Sequence, residues 1–160
     1  MTDTELKLPD TQIQLELTEA NTANAEVFRS CINAAVALGR SVTFVMQAES
    51  AESKGLTRWY REQIRGHPEQ SLLKYFNYQR VFTIHKGTIA PSKAWFAVLG
   101  PQRSESGAAI FAEQSAEVWV LDGTEAYGLG RSLPALPLCQ RYVAILQNLA
   151  SDWLAKRSAA

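Results

Sequence analysis

The chain has 160 residues, 46% of them hydrophobic, and its 16 Lys and Arg balance its 16 Asp and Glu, so the formal net charge is zero. A chain of this length and composition can bury a core of its own, which predicts a single domain over residues 1–160. The neutral balance excludes a global field that would draw the protein to nucleic acid or to a membrane surface.

Residues 1–20 predict an extended segment that could add a strand to a small sheet. Ile13, Leu15 and Leu17 alternate with Gln14 and Glu16, which is the period of a half-buried strand. The segment is also acidic, because residues 1–27 hold six Asp and Glu against one Lys.

The next segment predicts a core helix of about 25 residues that begins near Thr22 or Asn24, both good N-caps. Its apolar stripe recurs at alternating spacings of four and three: Phe28, Ile32, Ala35, Gly39, Val42 and Met46. A glycine inside a helix costs about 1 kcal/mol against alanine. Gly39 therefore predicts that a second helix crosses closely at that point.

A shorter helix is predicted over residues 53–65, with four bases on one face. Lys54, Arg58, Arg61 and Arg65 follow each other at spacings of four, three and four. Such a face suits contacts to RNA phosphates without sequence readout. The alternative is an ordinary solvated helix face.

The following helix begins near Pro68, ends near Gly87 and carries Arg80 and His85. Around the helix axis Arg80 lies about 20° from Leu73 and about 40° from Phe76, inside an apolar stripe. A buried guanidinium is costly unless it is paired. We therefore expect Arg80 to be either part of an ion pair between helices or a working residue.

Residues 88–133 predict a small antiparallel β insertion. Strands are expected over 94–99 and 117–121, a polar loop over 102–107, and an Asp-Gly hairpin turn at 122–123 leading into 124–129. A last helix over 137–156 has the core stripe Leu138, Tyr142, Ile145, Leu149 and Trp153.

Cys31 and Cys139 lie on apolar helical stripes and lack C-x-x-C or Cys/His metal spacing, which predicts buried free thiols in a reducing compartment. No basic region followed by an apolar run opens the chain, and no stretch approaches the roughly 18 apolar residues of a membrane span. We expect a cytoplasmic protein with no metal, no cofactor and no membrane contact.

Four segments together resemble the HEPN superfamily of helical domains. They are SVTFVMQAE at 41–49, GLTRWYREQ at 55–63, SLLKYFNYQRVFTIHKG at 71–87 and LCQRYVAILQNL at 138–149. The resemblance covers the helical part of the chain and implies a mainly α, HEPN-like helical bundle; it does not account for the β insertion. It also implies a homodimer along the motif helices.

In active members of this superfamily, the arginine and histidine of an Arg-x4-His motif form a metal-independent RNA-cleaving site. The resemblance therefore implies Arg80 as the phosphate ligand and His85 as the proton-transfer group. Val81 departs from the pattern, because active members commonly carry a polar residue there, often asparagine.

Two functions remain open from the sequence. One is an endoribonuclease of a toxin–antitoxin or phage-defence system, with RNA bound along Lys54, Arg58, Arg61 and Arg65 and a cognate antitoxin as partner. The other is a non-catalytic interaction or scaffold protein in which Arg80 and His85 are structural.

Overall fold

The computed structural model describes residues 2–103 and 109–159, without the side chains of Ile84 and of residues 97–103 and 109–114. Its helices are α1 (Asp3–Ala20), α2 (Ala25–Ser50), α3 (Lys54–Gly66), α4 (Gln70–His85) and α5 (Ala135–Ser158). Its strands are β1 (Ser92–Arg103), β2 (Ala109–Leu121) and β3 (Leu133–Pro134). The prediction of a mainly α fold with a small antiparallel β insertion is confirmed.

The sheet has the order β1-β2-β3. β1 and β2 pair antiparallel from Ser92 opposite Val120 to Arg103 opposite Ala109. β3 adds two residues on the other edge of β2, with Leu133 opposite Leu121. Val120 and Leu121 are buried against the helices, so the end of β2 joins the sheet to the core.

The core is centred on the crossing of α2 and α5. A Cβ atom added at Gly39 would lie 2.6 Å from Cε1 of Tyr142 and 3.1 Å from Cδ1 of Leu146. The predicted close crossing at Gly39 is therefore confirmed, and α5 is the helix that crosses. The Tyr142 ring also stacks on Phe76 of α4, with 4.3 Å between the ring centroids, so it has little room to withdraw.

The predicted helices agree with the structure in place and length. Asn24 caps α2, its side chain accepting from the Val27 amide, and the five stripe residues predicted for the last helix are all buried in α5. Cys31 and Cys139 are buried free thiols, as predicted. Burial raises the pKa of the Cys139 thiol to about 12.

The N-terminal extended segment was predicted wrongly, because residues 3–20 form helix α1. Thr2 and Glu5 make a capping box at its start, an arrangement that stabilises helix N-termini. The positions that α1 buries alternate at spacings of four and three, with Leu8 partly buried among them: Thr4, Leu8, Thr11, Leu15 and Thr18.

Threonine at these positions concealed the helical period. The Thr11 hydroxyl donates to the Lys7 carbonyl at 3.1 Å and the Thr18 hydroxyl to the Gln14 carbonyl at 2.7 Å. A hydroxyl that is satisfied by its own helix can be buried at low cost. Counting threonine as polar left only the alternation at 13–17 visible, which resembled a strand.

The predicted Asp-Gly hairpin after β2 was also wrong. Gly123 has a φ of 75°, but the chain then forms a 3-10 helix at Thr124–Tyr127, whereas a type I′ turn needs positive φ at both central residues. The Thr124 hydroxyl donates to the Gly130 carbonyl at 2.6 Å and closes the loop. The other predicted loop, 102–107, begins inside β1, and its residues 104–107 lie outside the described residues.

Among the described helices, α2 alone is long and apolar enough to cross a membrane, with a mean hydropathy of 1.2 over its best stretch. In the structure α2 is a core helix: Ile32, Val36, Val42 and Met46 are buried under the other helices. This packing is compatible with a soluble protein.

We expect Gly39→Ala to lower the free energy of unfolding by about 1 kcal/mol. Overpacking a core costs about 1–3 kcal/mol, which outweighs the gain of about 1 kcal/mol in helix propensity. Gly55→Ala in α3 is the matched control, because the nearest atom to its added Cβ is Ser53 Oγ at 3.6 Å. Urea denaturation of both variants measures the difference. A Gly39→Ala protein as stable as the wild type would contradict the close crossing.

Candidate functional site

Arg80 lies at the edge of the face that α4 buries. Leu72, Tyr75 and Phe76 of α4 are completely buried, whereas Arg80 is half-buried. Its guanidinium carbon lies 5.7 Å from the centroid of the Phe44 ring on α2, and Phe44 is 52% exposed. The arginine therefore makes a cation–π contact at the surface and is not enclosed in the core.

Arg80 has no carboxylate partner among the residues that the structure describes. The sequence led us to expect a buried guanidinium that is either part of an ion pair between helices or a working residue. The structure places the guanidinium on an aromatic ring beside solvent. An ion pair between helices is therefore not what holds Arg80 in place within this part of the chain.

His85 is the last residue of α4 and is exposed. It lies about 140° from Arg80 around the helix axis. The two side chains therefore leave α4 in different directions, and the helix of one chain does not point them into a shared site.

A second arginine, Arg40 of α2, shares the Phe44 ring with Arg80. Its guanidinium carbon lies 4.8 Å from the ring centroid. Arg40 Nε donates to Asn77 Oδ1 at 2.7 Å, and its Nη1 donates to Thr43 Oγ1. Neutral oxygens thus orient the Arg40 guanidinium but leave its positive charge uncompensated.

Arg40 stands at a cleft of about 230 Å³ between α2, α3 and α4. Its polar lining comprises Arg40, Thr43, Gln47, Gln70, Lys74 and Asn77, and its other lining residues are Tyr60, Ile64, Leu73 and Tyr142. Among the described residues that line the cleft are two cations and no Asp or Glu. A cleft with this lining suits an anion attached to an apolar group.

Tyr60 ties α3 to α2 beside the cleft. Its hydroxyl donates to the Thr43 carbonyl at 2.9 Å. Burial raises the pKa of the Tyr60 phenol, against the opposing charge of Arg40, and burial likewise raises the pKa of Tyr142. Both phenols are therefore neutral near pH 7 and add no negative charge to the cleft.

The four bases predicted to share a face of α3 do so. Lys54, Arg58, Arg61 and Arg65 are exposed and line one shallow depression. Arg58 pairs with Glu62 at 2.8 Å, and this hydrogen bond raises the pKa of Arg58. Glu62 is the one carboxylate in the lining of the depression.

The basic face of α3 adjoins the cleft around the same helix. Ile64 lines the cleft, and Arg61 lies about 60° further round the axis of α3. On the helical wheel, the basic face of α3 therefore borders the side of α3 that lines the cleft. We call the cations of the three helices together the cationic surface: Arg40, Lys54, Arg58, Arg61, Arg65, Lys74 and Arg80.

Sequence reasoning missed Arg40 and the cleft. A signal was present, because Arg40 is the single charged residue between Arg29 and Glu49. A lone charge in so long an uncharged stretch of a core helix marks a polar contact or a site. The Asn77 side-chain amide, which contacts Arg40 in the structure, had no comparable signal in the sequence.

No three His, Cys, Asp or Glu side chains in the described part of the chain form a group that could hold a metal ion. No family model, no curated protein and no solved structure matches the chain.

We expect Arg80→Gln to change the free energy of unfolding by less than about 1 kcal/mol, because exposed charge contacts contribute little. Breaking a buried ion pair would cost about 3–5 kcal/mol. Arg157→Gln is a suitable comparison: the Arg157 side chain is 32% exposed and lies 3.1 Å from Glu52 and 3.7 Å from Glu49.

Urea denaturation at one protein concentration measures both variants. A loss of several kcal/mol for Arg80→Gln, equal to or above that of Arg157→Gln, would contradict the surface position of Arg80.

Proposed function

We propose that this chain is a HEPN-like RNA-binding protein that cuts RNA without a metal ion, with Arg80 as phosphate ligand and His85 as the group that transfers protons. The observation that carries the proposal is the cationic surface of α2, α3 and α4. Among the described residues, the depression on α3 is lined by one carboxylate, Glu62, which is paired with Arg58, and the cleft is lined by none, in a chain whose net charge is zero. Concentrated positive charge of this kind favours a polyanion.

The proposed reaction uses the chemistry of the two side chains. The 2′-oxygen of a ribose attacks the adjacent phosphorus, the bond from phosphorus to the 5′-oxygen breaks, and a 2′,3′-cyclic phosphate forms. Arg80 would hold the phosphate oxygens through its planar fork. His85 would take the proton from the 2′-hydroxyl or give one to the leaving 5′-oxygen.

A second copy of the chain would complete this site. Because Arg80 and His85 leave α4 about 140° apart, the histidine of one copy would act beside the arginine of the other. Val81, 42% exposed, and Phe44, 52% exposed, lie on the surface around Arg80. A homodimer along α4 would cover these apolar side chains.

A toxin of a toxin–antitoxin or phage-defence system is the biological role that we attach to this proposal, with a cognate antitoxin as the protein partner. Growth arrest on induced expression that disappears in His85→Ala is the expected result. Equal toxicity of the wild type and the variant would show that the growth arrest does not depend on RNA cleavage by His85.

The alternative function is a non-catalytic interaction protein. Val81 favours it, because it puts an apolar, exposed side chain next to Arg80 where active HEPN proteins commonly have a polar one. In this alternative, Arg80, Phe44 and Val81 form a docking surface and His85 has no chemical role.

Cleavage of a labelled single-stranded RNA in EDTA decides between the two. We expect His85→Ala to lower the cleavage rate by about 100-fold or more, the usual size of general acid–base contributions. The fold should be unchanged because His85 is exposed. His67→Ala is the matched control, since His67 is the other histidine of the chain. Cleavage at an unchanged rate in His85→Ala would show that His85 is not the group that transfers protons.

Val81→Asn adds an independent arm to this experiment. The substitution restores the polar residue of the superfamily pattern at an exposed position, so the fold should tolerate it. If the wild type is an enzyme, the variant should cut RNA faster. If neither protein cuts RNA, the interaction alternative is favoured.

RNA binding through the basic face of α3 has its own test. We expect the triple variant Lys54→Gln, Arg61→Gln, Arg65→Gln to bind single-stranded RNA more weakly, with a salt slope smaller by about 2, since each lost phosphate contact removes about 0.7. The control Lys7→Gln, Arg131→Gln, Lys156→Gln removes the same charge elsewhere. Equal slopes for the two triple variants would exclude the basic face as the RNA contact.

A further inference from the structure

The cleft between α2, α3 and α4 has a lining that the proposed cleavage does not use. Arg40 and Lys74 are its two cations, and Gln47, Gln70 and Asn77 supply side-chain amides. These groups come from two helices, α2 and α4, so the fold brings them together. The cleft remains to be explained whether or not Arg80 and His85 cut RNA.

Arg40 is held ready for a ligand. Its Nε is bound to Asn77 Oδ1 and its Nη1 to Thr43 Oγ1, which uses two of the five N–H groups of a guanidinium. Asn77 Oδ1 is taken by Arg40, so the Asn77 amide nitrogen keeps its own donors for another acceptor. The remaining N–H groups of Arg40 and the Asn77 amide are therefore available to a ligand in the cleft.

The positive charge around Arg40 favours the binding of an anion. The Arg40 and Arg80 guanidinium carbons lie 4.8 Å and 5.7 Å from the centroid of the same Phe44 ring. Two positive charges that share one ring repel each other. Lys74 adds a third cation on the cleft wall, and in the part of the chain that the structure describes no carboxylate lines the cleft to balance them.

The size of the cleft and its apolar wall limit the chemical group to which a bound anion can be attached. A cleft of about 230 Å³ is smaller than most small-molecule pockets, which measure roughly 300–1,000 Å³. Ile64, Leu73 and the edges of two tyrosines line the rest of the cleft. Such a space has room for a phosphate group with one small ring.

We infer that this cleft binds a phosphate monoester carried on a ribose-sized ring, with Arg40 and Lys74 on the phosphate and the apolar wall against the ring. Arg40 suits the phosphate because its planar fork matches two phosphate oxygens. The ligand has two sources with this chemistry: a free sugar phosphate, or the terminal phosphate of an RNA chain.

Calorimetric titration of the full chain with ribose 5-phosphate tests the first source, with ribose as the control that lacks the phosphate. Two single-stranded RNAs that differ only in a terminal 5′-phosphate test the second. We expect Lys74→Gln and Arg40→Gln each to weaken binding of the phosphorylated probe about 10-fold or more, because hydrogen bonds to charged groups contribute that much.

The variants separate binding from folding. Lys74 is exposed, so Lys74→Gln tests the charge without disturbing the core, while Arg40→Gln also loses the contacts to Asn77 and Thr43. Arg131→Gln removes one exposed charge from the loop before β3 and should bind as the wild type does.

Each outcome has one meaning. Tight binding of ribose 5-phosphate that depends on Arg40 and Lys74 supports a free sugar phosphate as the ligand. A preference for 5′-phosphorylated RNA that depends on the same two residues supports an RNA end. Binding of either probe that is unchanged in Lys74→Gln and Arg40→Gln, or no preference for phosphate over hydroxyl, overturns the inference. RNA cleavage by Arg80 and His85 is measured in a separate experiment, so that result would not contradict the proposed cleavage.

Discussion

The crossing of α2 and α5 at Gly39 is the contact on which the rest of the structure depends. Because Gly39 has no Cβ, the Tyr142 ring lies directly against α2, and the same ring stacks on Phe76 of α4 at 4.3 Å. One aromatic side chain thus joins three helices. Tyr142 also lines the cleft, and Arg40 is the residue next to Gly39. The packing that holds the core therefore also sets the position of the cationic groups.

A second contact fixes the same pair of helices at the other end of α2. Trp153 Nε1 donates to Ser50 Oγ at 2.8 Å, and Ser50 Oγ donates to the Met46 carbonyl at 2.6 Å. All of these groups are buried, so a shift of α5 along α2 would leave polar atoms without partners, at a cost of about 1–3 kcal/mol. With α2 held at Gly39 and at Ser50, Arg40 and Phe44 sit on a rigid segment between. Binding at this surface would then lose little conformational entropy.

Local patterns in the sequence were sufficient where one helix carries the whole signal. The stripes of α2 and α5, the role of Gly39 and the basic face of α3 are all of this kind. Helix α1 was missed because threonines fill its core positions. The cleft was missed because Arg40 and Asn77 are 37 residues apart, and only the packing of α2 on α4 brings them together. The helical wheel placed Arg80 inside an apolar stripe, whereas the structure puts it at the edge of that stripe on an exposed ring. A helical wheel does not say what covers each side of a helix.

The zero net charge of the chain conceals a separation of charge between its helices. Helix α1 carries five acids against Lys7 and packs on α2 and α5, whereas the cationic surface is formed by α2, α3 and α4. Since charges are screened beyond about 8 Å at physiological ionic strength, an approaching polyanion responds to the helix nearest to it and not to the total. It is attracted by α3 and α4 and repelled by α1. A neutral protein built in this way presents one side that attracts a polyanion and one side that repels it.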